Sequence, residues 1–125
     1  MNAAAKLAAA LVGLFSTTMG LMAWIDPAKA GALIGLEGPS LLGQHTLRGD
    51  VGAVFLASAI GCGLALFKGK AMGMKLPIII YGLVLAGRLI SLAVSGYDAT
   101  VLQPIIIEVV LIALSLFAYR TMKAS

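Results

Sequence analysis

Charge is scarce in this sequence: Asp, Glu, Lys and Arg make up 11% of its 125 residues, against about a quarter in a soluble domain. With 61% hydrophobic residues and a mean hydropathy of +1.05, that shortage excludes an ordinary soluble domain and points to an integral membrane protein. Cysteine is nearly absent as well. Its one copy, Cys62, cannot form an internal disulfide, lies inside an apolar segment where a small buried residue fits, and leaves the redox compartment open. The one histidine, His45, has no second histidine or cysteine at ligand spacing, so no metal site is expected. Aromatic residues are 6% of the chain and do not interleave with basic ones. The net charge of +4 comes from Lys and Arg at segment ends, so nucleic acid is not an expected partner. No nucleophile elbow, P-loop or strand-preceded dinucleotide fingerprint occurs, which leaves any cofactor unknown.

Apolar length is abundant instead. A helix needs about 20 apolar residues to cross roughly 30 Å of hydrocarbon, and four segments qualify, at about 4–25, 42–67, 76–95 and 102–119. This predicts a single transmembrane domain over 1–125, an all-α four-helix bundle in a lipid bilayer. The first segment is similar to a signal peptide with Lys6 as its basic region, but its apolar run continues through Leu21, Met22 and Trp24 without a cleavage site, so it reads as span one. Between spans one and two, Asp26-Pro27 reads as the N-cap and first residue of a short interfacial helix ending near Gly35. Gly38-Pro39-Ser40 then breaks the chain before span two. Small residues mark the helix contacts. Gly13, Ser16, Thr17 and Gly20 suit close approach on span one. On span two, Gly49, Ala53, Ala57, Gly61 and Ala65 recur every four residues, a ridge that admits a neighbouring helix or a second copy of the chain and leaves Leu56 off it.

Counting Lys and Arg by side gives the orientation. Lys6, Arg120 and Lys123 at the termini and Lys68, Lys70 and Lys75 in the middle connection stand against Lys29 alone on the other side, so both termini are expected in the cytoplasm. Few ionisable groups lie inside the spans. His45, Arg48 and Asp50 come at the mouth of span two, Arg88 lies within span three and Glu108 within span four. In an up-and-down bundle Asp50, Arg88 and Glu108 sit roughly 8 to 11 Å below the outer surface, where charges facing lipid are costly and are expected to turn inward and pair. On span three Tyr81, Arg88, Ser91 and Ser95 share one face.

Three uses of these groups stay open. Arg48, Asp50, Arg88 and Glu108, two positive and two negative, can form a neutral network that fixes helix register, as suits an accessory or structural subunit of a membrane assembly. Alternatively, Arg48, Asp50, Arg88, Glu108, Tyr81 and Ser91 can line a pocket for a lipid-soluble, quinone-like or terpenoid molecule, with Asp50, Glu108 or His45 as acid or base. A proton path is the third, with Tyr81, Ser115 and Tyr119 as a thin continuation toward the cytoplasm.

Asp26-Pro27, Leu47-Arg48-Gly49, Gly87-Arg88-Leu89-Ile90-Ser91 and Glu108 resemble, over nearly the whole chain, the pattern of a family of small bacterial four-span membrane proteins known as a domain of unknown function, DoxX-like in architecture. The resemblance implies a bacterial inner-membrane protein in which Arg48, Arg88 and Glu108 are the family's polar positions. DoxX-type relatives are associated with membrane redox complexes, so it also implies a quinone or an accessory-subunit role, although no redox cofactor motif is present.

Overall fold

In the computed structural model, which describes residues 2–124, α1 (Ala3–Ile25) opens under the Asn2 side chain, which accepts the Ala4 N–H at 2.7 Å. An alanine-rich first turn needs such a cap, because its leading N–H groups have no partner within the helix. Asp26 plays the same part for α2 (Pro27–Leu33), accepting the Lys29 N–H at 3.2 Å with Pro27 at the first position. The short helix stops two residues before the expected Gly35. There the Leu36 N–H reaches back to the Gly31 carbonyl at 2.7 Å, and Gly35 takes a φ of 85° that turns the chain away.

Ser40 caps α3 (Leu41–Phe67) through the Gly43 N–H at 3.1 Å. This helix is α-helical at Leu41–Thr46 and Gly52–Phe67 but widens into one π-helical turn at Leu47–Val51. A 3-10 turn, Ala71–Met74, leads into α4 (Lys75–Ser95), and another, Ala99–Val101, leads into α5 (Leu102–Ala124). Asp98 caps the second of these turns by accepting from the hydroxyl and the N–H of Thr100. Those two bonds hold its carboxyl below the usual carboxylate range. α5 runs past the expected end at 119 and carries Arg120 and Lys123 on its last turns.

α1, α3, α4 and α5, with the turns that open the last two, are long and apolar enough to cross a membrane, which makes this a multi-pass membrane protein. They form a ring in which α1 packs on α3 and α5, and α4 closes the other side against the same two helices. Small residues set the closest approach. A Cβ on Gly13 would lie 3.1 Å from that of Cys62, and one on Gly20 would lie 2.6 Å from the Leu56 side chain. The core runs from Ala5, Ala8, Ala9 and Val12 of α1 through Cys62 and Ala65 of α3 to Leu111, Ala118 and Met122 of α5, with Met74 and Tyr81 joining it.

The ridge expected on α3 is buried only at its far end. Gly61 and Ala65 are buried and Ala57 is half-buried, but Ala53 and Gly49 are exposed. A step of four residues advances about 400°, so each member is rotated by about 40° from the last and the row leaves the contact face. Leu56, placed off the ridge by the spacing, is instead the side chain that fills the space above Gly20. On α1, Ser16 and Gly20 are buried as expected, while Thr17 is exposed.

Candidate functional site

Beyond Tyr81, α4 contributes no buried residue. The packing that fills the rest of the bundle therefore stops there, and a cavity of about 630 Å³ opens among the helices. Four helices line it: Phe15 and Met19 from α1, Asp50, Val54 and Phe55 from α3, Tyr81, Val84 and Arg88 from α4, and Gln103, Ile107, Glu108 and Leu111 from α5. Leu33 and Ile34, at the end of α2, and Thr100 complete the wall.

Its inner limit is aromatic. The rings of Phe15, Phe55 and Tyr81 stand in a triangle with centroids 6.0, 6.3 and 6.5 Å apart and steep interplanar angles, the arrangement ring quadrupoles favour. Tyr81 is 2% exposed and belongs both to the core and to the cavity wall. A buried phenol needs a partner, and the Ser16 hydroxyl lies 2.6 Å from it, with Ser58 also within bonding reach. The cluster of three hydroxyls thus links α1, α3 and α4.

Arg88 and Glu108 supply the ion pair of the cavity. The Arg88 Nε–H donates to both carboxylate oxygens, at 2.7 and 2.8 Å. Glu108 is 6% exposed, whereas the Arg88 side chain keeps 35% of its surface open. Asp50, also on the wall, has neither an ion pair nor a hydrogen bond among the described residues. It rides on the π-helical turn of α3, a geometry that re-aims side chains and is frequent at functional positions.

Arg48 points elsewhere. Its Nε donates to the Trp24 carbonyl at 3.0 Å, and the Trp24 indole N–H donates back to the Arg48 carbonyl at 3.0 Å. This reciprocal pair ties the carboxy-terminal end of α1 to the π-helical turn. A Cβ on the nearby Gly52 would come within 2.7 Å of the indole ring, so the bare glycine is what lets the ring lie there. Of the six positions expected to meet a ligand, Asp50, Tyr81, Arg88 and Glu108 come together on one cavity, while Arg48 and Ser91 stand outside it. The four-charge network expected from the sequence is, among the described residues, a single ion pair. The physical reason is that a carbonyl at the end of α1 offers Arg48 a nearer acceptor. Of the three acid-base candidates, Glu108 has both oxygens engaged, Asp50 opens onto the cavity, and His45 is exposed away from it.

Sequence reasoning missed Gln103, Thr100, Ser58 and the two phenylalanines. One signal was present: positions 100, 103, 104, 107, 108 and 111 follow helical spacing, so a face already marked by Glu108 carries an amide and a hydroxyl as well.

Fold and cavity together define a small four-span membrane protein with a charged, aromatic-walled cavity among its helices. The chain belongs to the family described as a domain of unknown function, DUF4345, whose model matches residues 4–119. No curated protein and no solved structure matches it.

Proposed function

We propose that this protein is a membrane-embedded binding protein that takes a small lipid-soluble molecule into the cavity between its spans. It works as a single transmembrane unit in a bacterial inner membrane, with both termini cytoplasmic and a DoxX-like arrangement of spans. The observation that carries the proposal is unfilled volume, about 630 Å³, directly beside the Arg88–Glu108 pair. Ligand pockets run from about 300 to 1,000 Å³ with mostly apolar walls and a few orienting polar groups. Val54, Phe55, Ile107 and Leu111 suit an apolar body of quinone-like or terpenoid size, and Asp50, Arg88, Tyr81 and Glu108 suit its polar end. Where acid-base chemistry accompanies binding, Asp50 is the group free to take or give the proton.

An accessory role in a larger membrane assembly is the second reading, and one observation favours it. Past Tyr81, α4 buries no side chain, and Leu83, Ile90 and Val94 are 69%, 65% and 80% exposed. Native mass spectrometry from mild detergent separates the two. Binding predicts a small non-protein adduct on the wild-type chain that Val54→Trp, which fills the cavity, removes without lowering the melting temperature. A stoichiometric second polypeptide, with no small adduct in either form, would overturn the binding proposal in favour of the subunit.

A further inference from the structure

The formal charges on the cavity wall do not cancel: Asp50 and Glu108 carry two negative charges and Arg88 one positive. Arg88 commits its Nε–H to Glu108 at 2.7 Å, which leaves Asp50 as the unmatched charge. Its carboxylate has no ion-pair or hydrogen-bond partner among the described residues and shares the wall with Phe15, Phe55 and Leu111. We infer that the ligand of this cavity is a cationic amphiphile, an ammonium group on an apolar body, with the ammonium beside Asp50. The inference deepens the binding proposal above and rests on it.

Each other class of polar end meets a physical objection here. A carboxylate or phosphate would add a third negative charge to a wall whose one guanidinium already pairs with Glu108, and like charges brought together repel. A neutral carbonyl or hydroxyl would give the exposed Asp50 carboxylate no opposite charge. An ammonium supplies that opposite charge, with the aromatic side chains of Phe15 and Phe55 on the same wall. Thr100 and Gln103, on the same wall, offer oxygen acceptors to the remaining N–H groups. The apolar side chains take the hydrocarbon body as they would for any lipid-soluble molecule. Selectivity for the cation therefore comes from Asp50, and affinity for the body comes from the cavity. The ammonium can belong to a free lipophilic amine or to an aminophospholipid headgroup, and both sources share this chemistry.

The test uses the full chain in maltoside micelles and three probes with one decyl chain, namely decylammonium, decanol and decanoate. Isothermal titration calorimetry compares each with the same titration of Val54→Trp, which subtracts partition into the micelle. Decylammonium is expected to bind about tenfold or more tighter than decanol, in keeping with a matched charge, and decanoate to bind weakest. Asp50→Asn should bring decylammonium to the decanol level while leaving the melting temperature unchanged, and Asp50→Glu should keep the preference for the amine. Repeating the decylammonium titration in phosphatidylglycerol nanodiscs with and without phosphatidylethanolamine assigns the source: competition marks the headgroup, and its absence marks a free amine. If decanol or decanoate binds as tightly as decylammonium, the cationic class is wrong and the cavity proposal stands. If no probe shows binding that Val54→Trp removes, the cavity proposal itself fails and the inference fails with it.

Discussion

Arg88 reaches Glu108 through one N–H, which its Nε gives to both carboxylate oxygens at 2.7 and 2.8 Å, and this contact joins α4 to α5 beside the cavity. The two partners are buried unequally, with Glu108 6% exposed and the Arg88 side chain 35%. Removing either one should therefore have unequal effects. Arg88→Met strands a buried carboxylate and should cost about 3 kcal/mol or more, toward the range for breaking a buried pair. Glu108→Gln leaves a guanidinium that can turn to water in the cavity, so its cost should be smaller, about 1 to 2 kcal/mol. A double-mutant cycle on Arg88→Met and Glu108→Leu, read from unfolding in detergent, should show coupling above about 0.5 kcal/mol. Equal losses for the two single variants would refute the unequal burial.

Gly61 and Gly49 make a paired test of which small residues hold helices together. A Cβ on Gly61 would collide with the carbonyl oxygen of Gly73 and come within 2.8 Å of the Leu76 Cβ, and neither neighbour can move without shifting the turn that leads into α4. Gly61→Ala is thus expected to lower the melting temperature markedly, and Gly61→Leu more so. Nothing lies within 4 Å of a Cβ on Gly49. Gly49→Ala should leave stability unchanged or raise it by up to about 1 kcal/mol through helix propensity. A drop for Gly49→Ala as large as that for Gly61→Ala would contradict the packing described.

The spans were legible in the sequence because apolar length is a local property, and Asp26 before Pro27 marked the start of the short helix α2. The common depth of Asp50, Arg88 and Glu108 was legible too, since an up-and-down bundle fixes which end of each helix faces which, whereas a cavity beside them and Tyr81 was one of three readings the sequence left open. Three things were not legible. The π-helical turn at Leu47–Val51 has no sequence signature, and it changes the phase of α3 next to Asp50. A row of every fourth residue turns about 40° at each step, so part of it leaves the contact face while Leu56, off the row, enters it above Gly20. The partner of Arg48 is a backbone carbonyl, and every residue has one of those, so side-chain chemistry alone gave no reason to choose Trp24.

The basic residues supply a test of orientation. Lys75 and Lys123 lie 5.7 and 5.6 Å from the ring centre of Tyr119, so the start of α4 and the end of α5 come to the same end of the bundle. Lys68, Lys70 and Arg120 belong to the same connections. Cytoplasmic loops carry the excess of Lys and Arg, so that end should face the cytoplasm. A fluorescent-protein fusion at the C-terminus should be active and an alkaline phosphatase fusion there inactive. The reverse pattern would require the cavity to open toward the cytoplasm instead.

The last prediction uses the only tryptophan of the chain, which reports on the turn that carries Asp50. Trp24 and Arg48 exchange two hydrogen bonds, each at 3.0 Å, and the indole lies against Gly52, just past the π-helical turn. Trp24→Phe keeps a ring over Gly52 but removes the N–H donor, so it should cost about 1 kcal/mol, the usual net value of one hydrogen bond. Arg48→Lys moves the donor off the Nε position and should cost slightly more, because that bond comes from a charged group. Gly52→Ala pushes a methyl to within 2.7 Å of the ring and should displace it, breaking the indole N–H bond to the Arg48 carbonyl while the bond from Arg48 Nε to the Trp24 backbone carbonyl stays. The displacement should change the emission maximum and the near-ultraviolet circular dichroism of Trp24, signals that Gly49→Ala, with open space around it, should leave alone. If the turn sets the aim of Asp50, Gly52→Ala should also weaken decylammonium binding relative to decanol. Unchanged Trp24 emission in Gly52→Ala would show that the ring does not rest on that glycine.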